Sequence, residues 1–301
     1  MIQHDPLRHI INNIGLVESC NPIDKALVMH CSSKVNELKN LYRINWQEQI
    51  EYNSADCQTA YMIYYFPNYI ETMYHTLIKV ETNAINGSFK ENMKICIMGG
   101  GPAPELYGFL AYLKENFPGI KKIESHFFDK NNWENWRQFC FDNFIEEYWG
   151  SGKIVYYKHH ICDLCKLHET YEIESLPIIK EADLLIIQNC GLDIYTSLHD
   201  IGKYRQVFNN LIQAMKPGSI IVIIDVVVYN VISGNWFETR GNLHHIRDMA
   251  QSNYNCTVLR DVSNGNPYRY TPNIIEHPII RDNFPFKGDV KYHALVMRKT
   301  T

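Results

Sequence analysis

The segment from Lys94 to Leu106 constrains the fold of this chain more than any other part of its sequence. It reads KICIMGGGPAPEL, so an apolar run ends in three consecutive glycines, Gly99, Gly100 and Gly101, before residues that favour the start of a helix. A strand, a glycine turn and a helix in this order bring bare main chain close to a nucleotide-like ligand. Because a glycine turn alone is a weak signal, the neighbouring segments must identify the ligand.

Short apolar runs alternate with helical stretches from residue 94 onward. This alternation predicts an α/β fold, with a mostly parallel sheet and helices on both faces. Ligands of such sheets bind at the carboxyl ends of the strands. Helical stretches separate the first five of the predicted strands, which are Lys94–Met98, Lys122–Phe128, Lys153–His159, Asp183–Gln188, Ser219–Val228, Cys256–Arg260 and Tyr292–Arg298.

The first 90 residues have a different, helical pattern. Apolar residues at helical spacing predict helices over Pro6–Ile14, Asp24–Leu41 and Asp56–Glu81. The last of these is rich in tyrosine, and Pro67 inside it predicts either a kink or two helices that meet there. A long connection, Val262–Asp289, is expected to lack regular structure and is typical of a binding loop.

Composition excludes several classes of protein. A formal net charge of −4 over 301 residues and a pI of about 6.3 argue against broad, sequence-blind binding of nucleic acid. The nine cysteines are an odd number, and no targeting segment is recognisable, so free thiols in a reducing, cytoplasmic setting are expected. The most apolar stretch, Ile220–Ile232, is too short to cross a bilayer and contains Asp225, so no membrane segment is predicted.

Polar residues follow three of the predicted strands. Asp129 ends the second strand, where a carboxylate either accepts hydrogen bonds from ribose hydroxyls or caps the next helix. Cys162 and Asp163 follow the third strand, where the carboxylate either meets an amine of a base or caps a helix. The fourth strand ends in a polar cluster from Gln188 to Asp193, which is either the place of a reacting group or a simple turn.

The order and spacing of these segments resemble a class I S-adenosylmethionine-dependent methyltransferase. The resemblance covers residues 94–300 and implies a Rossmann-like, mostly parallel seven-stranded sheet with an antiparallel last strand, preceded by a helical extension. It implies two regions, a helical lid or substrate-binding region over residues 1–90 and a cofactor-binding methyltransferase domain over residues 91–301. The matching pieces are the glycine strand Ile95–Glu105, Asp129, Cys162-Asp163, the strand Ala182–Asn189, and Met215-Lys216-Pro217-Gly218 before the fifth strand.

The resemblance also implies a cofactor and a set of site residues. S-adenosylmethionine is the expected cofactor, no metal is expected, and Asn189 and Asp193 are the expected catalytic residues. The family usually has an acidic residue two positions before the first glycine, where this chain has Ile97. A triple-glycine-proline variant of the motif places a glutamate further on, and Glu105 fits that variant. The residues expected to bind the cofactor are Gly99, Gly100, Gly101, Glu105, Asp129, Lys130, Cys162, Asp163, Gln188 and Asn189.

Several alternatives remain open from the sequence. The expected acceptor of the methyl group is a small molecule or a peptide, and RNA is the second possibility. A dinucleotide-dependent oxidoreductase is disfavoured, because Pro104 stands where the third glycine of that fingerprint belongs. A non-catalytic binding module and a zinc site built from His159, Cys162, Cys165 and His168 are further alternatives. Cys190 is a candidate nucleophile, although a structural role is favoured.

Overall fold

The computed structural model describes residues 10, 25–44, 52, 54–174, 176–229, 236–237, 240–262, 266–270 and 290–300. Of the predicted segments, Pro6–Ile14 lies outside the described residues apart from Ile10, and so does most of the Val262–Asp289 connection. None of the helices in the described part of the chain is long and apolar enough to cross a membrane.

The described part of the N-terminal region is helical, as predicted. Its helices are α1 (Lys25–Ile44), α2 (Ala55–Tyr64), α3 (Phe66–Leu77) and α4 (Thr82–Asn86). The predicted tyrosine-rich helix is divided at Tyr65, and Pro67 lies in the first turn of α3. A proline is tolerated there because the first N–H groups of a helix have no partner within the helix. The break at the proline is therefore confirmed, in the form of two helices.

The remaining helices alternate with the strands. The longer ones are α5 (Pro104–Asn116), α6 (Glu134–Trp149), α8 (Gly191–Leu198), α9 (Ile201–Ala214) and α10 (Arg240–Tyr254). The connection between the third and fourth strands contains only a five-residue helix, α7 (Thr170–Glu174), between two short 3₁₀ turns, Leu164–His168 and Pro177–Glu181.

One large sheet forms the centre of the molecule. Its strands are β1 (Asn92–Met98), β2 (Lys122–Asp129), β3 (Ile154–Ile161), β4 (Leu184–Gln188), β5 (Ile220–Val226), β8 (Cys256–Asp261), β9 (Tyr268–Tyr270) and β10 (Val290–Lys299); β6 (Val228–Tyr229) and β7 (Trp236–Phe237) form a separate ribbon. The order is β3-β2-β1-β4-β5-β10-β8, and β10 runs antiparallel to both neighbours. The predicted α/β fold with an antiparallel last strand is confirmed.

A short strand was not predicted. The Val262–Asp289 connection contains β9, which pairs with the beginning of β10. Its Tyr270 hydroxyl also lies 2.7 Å from the hydroxyl of Thr72 on α3. The expectation that the whole connection lacks regular structure is therefore wrong for these three residues, which join the end of the chain to the N-terminal helices.

The sheet is covered on both faces. The N-terminal helices pack with α5 and α6 against one face, and α9 and α10 cover the other. Gly108 on α5 allows α3 to pack directly against α5, because a Cβ there would lie 2.2 Å from the carbonyl oxygen of Ile70 on α3. The N-terminal helices thus share one hydrophobic core with the sheet and lie beside the ends of its central strands.

Candidate functional site

The glycine turn between β1 and α5 has a backbone that other residues adopt only with strain. Gly99 and Gly101 have φ values of +64° and +45°, in the left-handed region. The N–H of Gly99 donates to the carbonyl oxygen of Phe128, 2.7 Å away, which ties the turn to the end of β2. A Cβ at Gly99 would lie 2.2 Å from Sγ of Cys190. The three glycines predicted to bind a ligand therefore form a tight turn of bare main chain at the carboxyl end of β1.

Asp129 is joined to this turn. Its carboxylate accepts hydrogen bonds from the N–H of Gly101 at 2.9 Å and from the N–H of Asn131 at 2.7 Å, one on each oxygen. Each oxygen keeps a second lone pair. The structure thus brings the predicted ribose ligand beside the predicted glycine turn. Trp133 closes this side, with its indole 3.5 Å from the position of a Cβ at Gly101.

A buried arginine side chain is hydrogen-bonded to the main chain of the glycine turn. Nε of Arg137, on α6, donates to the carbonyl oxygen of Gly101 at 2.7 Å, and its guanidinium is fully buried. Among the described residues, its Nη1 and Nη2 have no hydrogen-bond partner. Nothing in the local sequence pattern indicated this residue, because its role depends on where α6 packs.

Glu105, in the first turn of α5, is also buried in this region. Burial raises the pKa of its carboxyl group to about 8, although the charge of Arg137 and a hydrogen bond from its own main chain act in the opposite direction. Ile97, in the position where related motifs place an acid, is fully buried in the core. Glu105 is thus a second acidic side chain, beside Asp129, that the structure places at the turn.

The end of β4 holds two of the predicted residues by side-chain hydrogen bonds. Nε2 of Gln188 donates to the carbonyl oxygen of Tyr69 on α3 at 3.0 Å, while its Oε1 has no partner among the described residues. Asn189 has a φ of +60°, and its Oδ1 accepts from the N–H of Val226 at 3.2 Å. The amide of Asn189 therefore joins β4 to β5, and its NH₂ group is available for a ligand.

Cys190 is buried and inert in this arrangement. Its thiol lies 3.2 Å from the carbonyl oxygens of both Met98 and Gln188, as a donor. Burial raises the pKa of the thiol well above its ordinary value, so the thiolate needed for nucleophilic attack is disfavoured. This geometry favours the structural role over the nucleophilic one.

Two carboxylates meet at the start of α8. Asp225 ends β5 and is buried; its Oδ1 accepts from the N–H of Gly191 at 3.1 Å, and its Oδ2 has no partner among the described residues. Asp193 lies in the first turn of α8 and is accessible to solvent, and nearby protein atoms partly desolvate its carboxyl group. Desolvation raises the pKa of Asp193 to about 6 and that of Asp225 to about 7.

Aromatic side chains from the N-terminal helices cover these groups. Tyr61, Tyr65 and Tyr69 form a ladder along α2 and α3, with successive ring centroids 5.5 and 5.6 Å apart. Trp133 lies 5.5 Å from Tyr61, so the ladder continues to the glycine turn. The pKa of Tyr61 is raised well above its usual value, mainly by burial and also by the charges of groups that include Glu105, and Asp193 and Asp225 act likewise on Tyr69.

The end of β3 contributes less to this site. The N–H of Cys162 donates to the carbonyl oxygen of Asp129 at 3.1 Å, and Oδ1 of Asp163 accepts from the N–H of Cys165 at 3.1 Å. Asp163 thus caps the 3₁₀ turn Leu164–His168, which was the alternative to a contact with an amine of a base. His159 and His160 have separate partners, Asp129 and His126. In the part of the chain that the structure describes, no group of three or more His, Cys, Asp or Glu side chains is placed to hold a metal ion.

Most of the predicted residues lie around one place, the carboxyl ends of β1, β2 and β4. Lys130 is within electrostatic reach of Asp193 and lowers the pKa of that carboxyl group. Sequence reasoning missed Asp225, Trp133 and Arg137 as site residues. Only Asp225 had a recognisable signal, as a charged residue within a strongly apolar run.

No protein-family model matches this chain, and no curated protein sequence matches it. Solved structures match at low identity. An O-methyltransferase family protein from Burkholderia thailandensis is 13% identical, with a TM-score of 0.41, over 90% of this chain and 72% of that one. A S-adenosylmethionine-dependent methyltransferase from Clostridium acetobutylicum is 9% identical, with a TM-score of 0.40, over 77% of this chain and 92% of that one. At these scores the function has to be inferred from the chain's own residues.

Proposed function

We propose that this chain is a S-adenosylmethionine-dependent methyltransferase that acts on a small molecule or a peptide. The proposal rests mainly on one hydrogen bond, in which the N–H of Gly101, within the turn Gly99–Gly101, donates to the carboxylate of Asp129 at 2.9 Å. The aromatic rings of Tyr61 and Trp133 lie over this side of the turn. Bare main chain beside a carboxylate suits a nucleoside whose ribose hydroxyls need acceptors. The turn corresponds to the triple-glycine-proline variant of the motif.

The charges of the site fit a cationic cofactor. Glu105 is a buried acid beside the turn, and Tyr61 on α2 lies within electrostatic reach of it. A sulfonium and an ammonium are both cations, which carboxylates and aromatic faces attract. Gln188 offers a further buried acceptor, Oε1, that has no donor among the described residues. Gly99–Gly101, Glu105, Asp129 and Gln188 are the residues proposed to hold S-adenosylmethionine.

The cofactor, when bound, supplies an activated methyl group. The chain's own contribution is to hold the acceptor in line with that group and to exclude water from it. Tyr61, Tyr65 and Tyr69 form the aromatic wall proposed to do this. Asp193, which is accessible to solvent at the start of α8, is the residue proposed to meet the acceptor.

The acidic character of the site favours a small or peptide acceptor over RNA. Glu105, Asp129, Asp193 and Asp225 gather at the ends of the central strands, and Lys130 is the basic side chain that acts on Asp193. A polyanion would be repelled by these carboxylates, and it normally requires clustered lysines and arginines.

Titration calorimetry with S-adenosylmethionine and S-adenosylhomocysteine tests the proposal. We expect both to bind the full chain, and we expect Asp129→Asn to weaken binding at least tenfold, because the amide loses one acceptor beside the turn. Asp142→Asn, which removes the same charge from an exposed position on α6, should leave binding unchanged. Absence of binding, or tighter binding of NAD than of either compound, would contradict the proposal. Transfer of labelled methyl to metabolite, peptide and RNA pools then identifies the acceptor class.

A further inference from the structure

The start of α8 carries negative charge that the cofactor site does not require. Asp193 lies in its first turn, and Asp225 accepts a hydrogen bond from the N–H of Gly191, its first residue. A Cβ at Gly191 would lie 2.1 Å from Oδ2 of Asp225, so the glycine is what allows the carboxylate to approach the helix so closely. The positive end of the helix dipole stabilises one such charge. It does not supply a donor for the second oxygen.

Two buried hydrogen-bond acceptors near this position lack donors. Oδ2 of Asp225 and Oε1 of Gln188 have no partner among the described residues, and these side chains are 2% and 5% exposed. A buried acceptor without a donor destabilises the fold, because it has lost its hydrogen bonds to water without replacement. Gln188 is hydrogen-bonded to the carbonyl oxygen of Tyr69, and the phenol of Tyr69 lies within electrostatic reach of Asp193 and Asp225. A ligand that carries N–H or O–H groups would donate hydrogen bonds to these acceptors.

The charge of the carboxyl groups distinguishes between a ligand with N–H groups and a ligand with O–H groups. Asp193 acts on Asp225 by repulsion, and Lys130 is the cation that acts on Asp193; within the described part of the chain, no cation is among the groups that act on Asp225. An alcohol satisfies the free oxygen of Asp225 but leaves the negative charge of that carboxylate uncompensated, whereas an amine satisfies the oxygen and, when protonated, compensates the charge. The adjacent ring of Tyr69 also attracts a cation.

We propose that Asp193 and Asp225, beside Tyr69, bind the amino group of the methyl acceptor, which makes the substrate a primary or secondary amine. This inference rests on the proposed function. The amine arrives as an ammonium ion and gives one proton to the Asp225 carboxylate. Its nitrogen lone pair then forms the N–C bond to the methyl carbon while the C–S bond breaks and its electron pair stays on sulfur. The product is an N-methylammonium ion beside the Asp193 carboxylate, with a neutral thioether as the other product.

The test compares matched ligands on the full chain saturated with S-adenosylhomocysteine. The ligands are butylamine, 1-butanol and butyrate, then 2-phenylethylamine, 2-phenylethanol and phenylacetate. A blocked Ala-Lys-Ala peptide and its ε-acetylated form distinguish a lysine side chain from a free amine. Binding is measured by titration calorimetry, and turnover by transfer of labelled methyl from S-adenosylmethionine.

We expect an amine of the set to bind and to be methylated, with its alcohol and acid at least tenfold weaker. Asp225→Asn and Asp193→Asn should each weaken amine binding at least tenfold and leave binding of S-adenosylhomocysteine within twofold. Because Asp225 also caps α8, circular dichroism checks its fold, and the accessible Asp193 serves as the second variant. Asp142→Asn should behave as wild type.

The contrary outcomes are distinct. If the protein binds S-adenosylhomocysteine but no amine of the set, or binds the alcohol as well as the amine, the inference is wrong while the proposed function stands. If the two variants weaken S-adenosylhomocysteine binding instead, the carboxylates hold the cofactor's amino group and the inference is also wrong. If S-adenosylhomocysteine does not bind the wild-type chain, the proposed function itself fails.

Discussion

At the scale of single residues, the site depends on positions where a side chain cannot be accommodated. Gly99 has a left-handed backbone and lies against Sγ of Cys190. Gly191 makes the same kind of contact with Asp225. Each glycine brings main chain from one strand end against a side chain from another, so the glycines set the spacing of the site.

The substitution Gly99→Ala tests this view. A methyl group at that position would overlap Cys190, and the left-handed backbone adds about 1–2 kcal/mol for a residue with a Cβ. We expect the free energy of unfolding to fall by about 2–4 kcal/mol in urea titrations, with loss of S-adenosylhomocysteine binding. Gly119→Ala is the control, because a Cβ there meets nothing within 4 Å. Equal behaviour of the two variants would show that the turn tolerates a side chain.

At the scale of the elements, the N-terminal helices are fastened to the sheet by a few specific contacts. Nε2 of Gln58 on α2 donates to the carbonyl oxygen of Asn132 at 2.7 Å, just before α6. Gln188 makes the corresponding bond from β4 to α3. Both bonds join the aromatic ladder to the loops that hold the glycine turn, so the ladder and the turn are positioned together.

The crossing of α3 and α5 gives a prediction at this scale. A Cβ at Gly108 would lie 2.2 Å from the carbonyl oxygen of Ile70 and 2.9 Å from Cβ of Met73, so Gly108→Ala must move α3 away from α5. We expect a loss of about 2–4 kcal/mol in the free energy of unfolding and weaker acceptor binding. Gly87→Ala, at a position where a Cβ meets nothing within 4 Å, should change neither. A stable Gly108→Ala variant with normal binding would contradict the described helix contact.

At the scale of the whole molecule, several acidic side chains are gathered at one site in a chain whose net charge is only −4. Desolvation by the surrounding protein is the main cause of the raised pKa values of the buried Glu105 and Asp225 and of the solvent-accessible Asp193. A site of this kind destabilises the fold at high pH and is relieved by a cationic ligand. Stability and ligand binding are therefore linked through the same carboxyl groups.

The pH dependence of stability tests this linkage. The pKa of Glu105 is raised to about 8, so the folded state holds its proton more tightly than the unfolded state, and Glu105 lowers stability as pH rises towards 8. Glu105→Gln removes this effect. The difference in free energy of unfolding, Glu105→Gln minus wild type, should increase by about 3 kcal/mol between pH 5 and pH 8, as measured in urea. Asp142→Asn should show no such change. A flat difference for Glu105→Gln would mean that the carboxyl group is not buried in solution.

Local patterns account for most of the fold. The alternation of apolar runs and helical stretches predicted the seven strands of the main path within a few residues, because each buried strand of a parallel sheet is itself a continuous apolar run. The glycine turn and the break at Pro67 were also predictable from the local sequence, because glycine permits a left-handed backbone and proline fixes its own φ and lacks an N–H. The strand β9 escaped prediction because Tyr268–Tyr270 is too short to show a period.

The sequence by itself determined the order of elements, the glycine turn and the polar residues at the strand ends. Only the tertiary structure decided which of these polar groups face a ligand and which hold the fold together. Asp163 and Asn189 satisfy main-chain N–H groups, and so does one oxygen of Asp225, whereas its other, buried oxygen has no donor in the described part of the chain. The physical reason is that hydrogen bonding and desolvation depend on neighbours distant in sequence. Asp225 and Gly191, 34 residues apart, meet only when β5 lies beside β4.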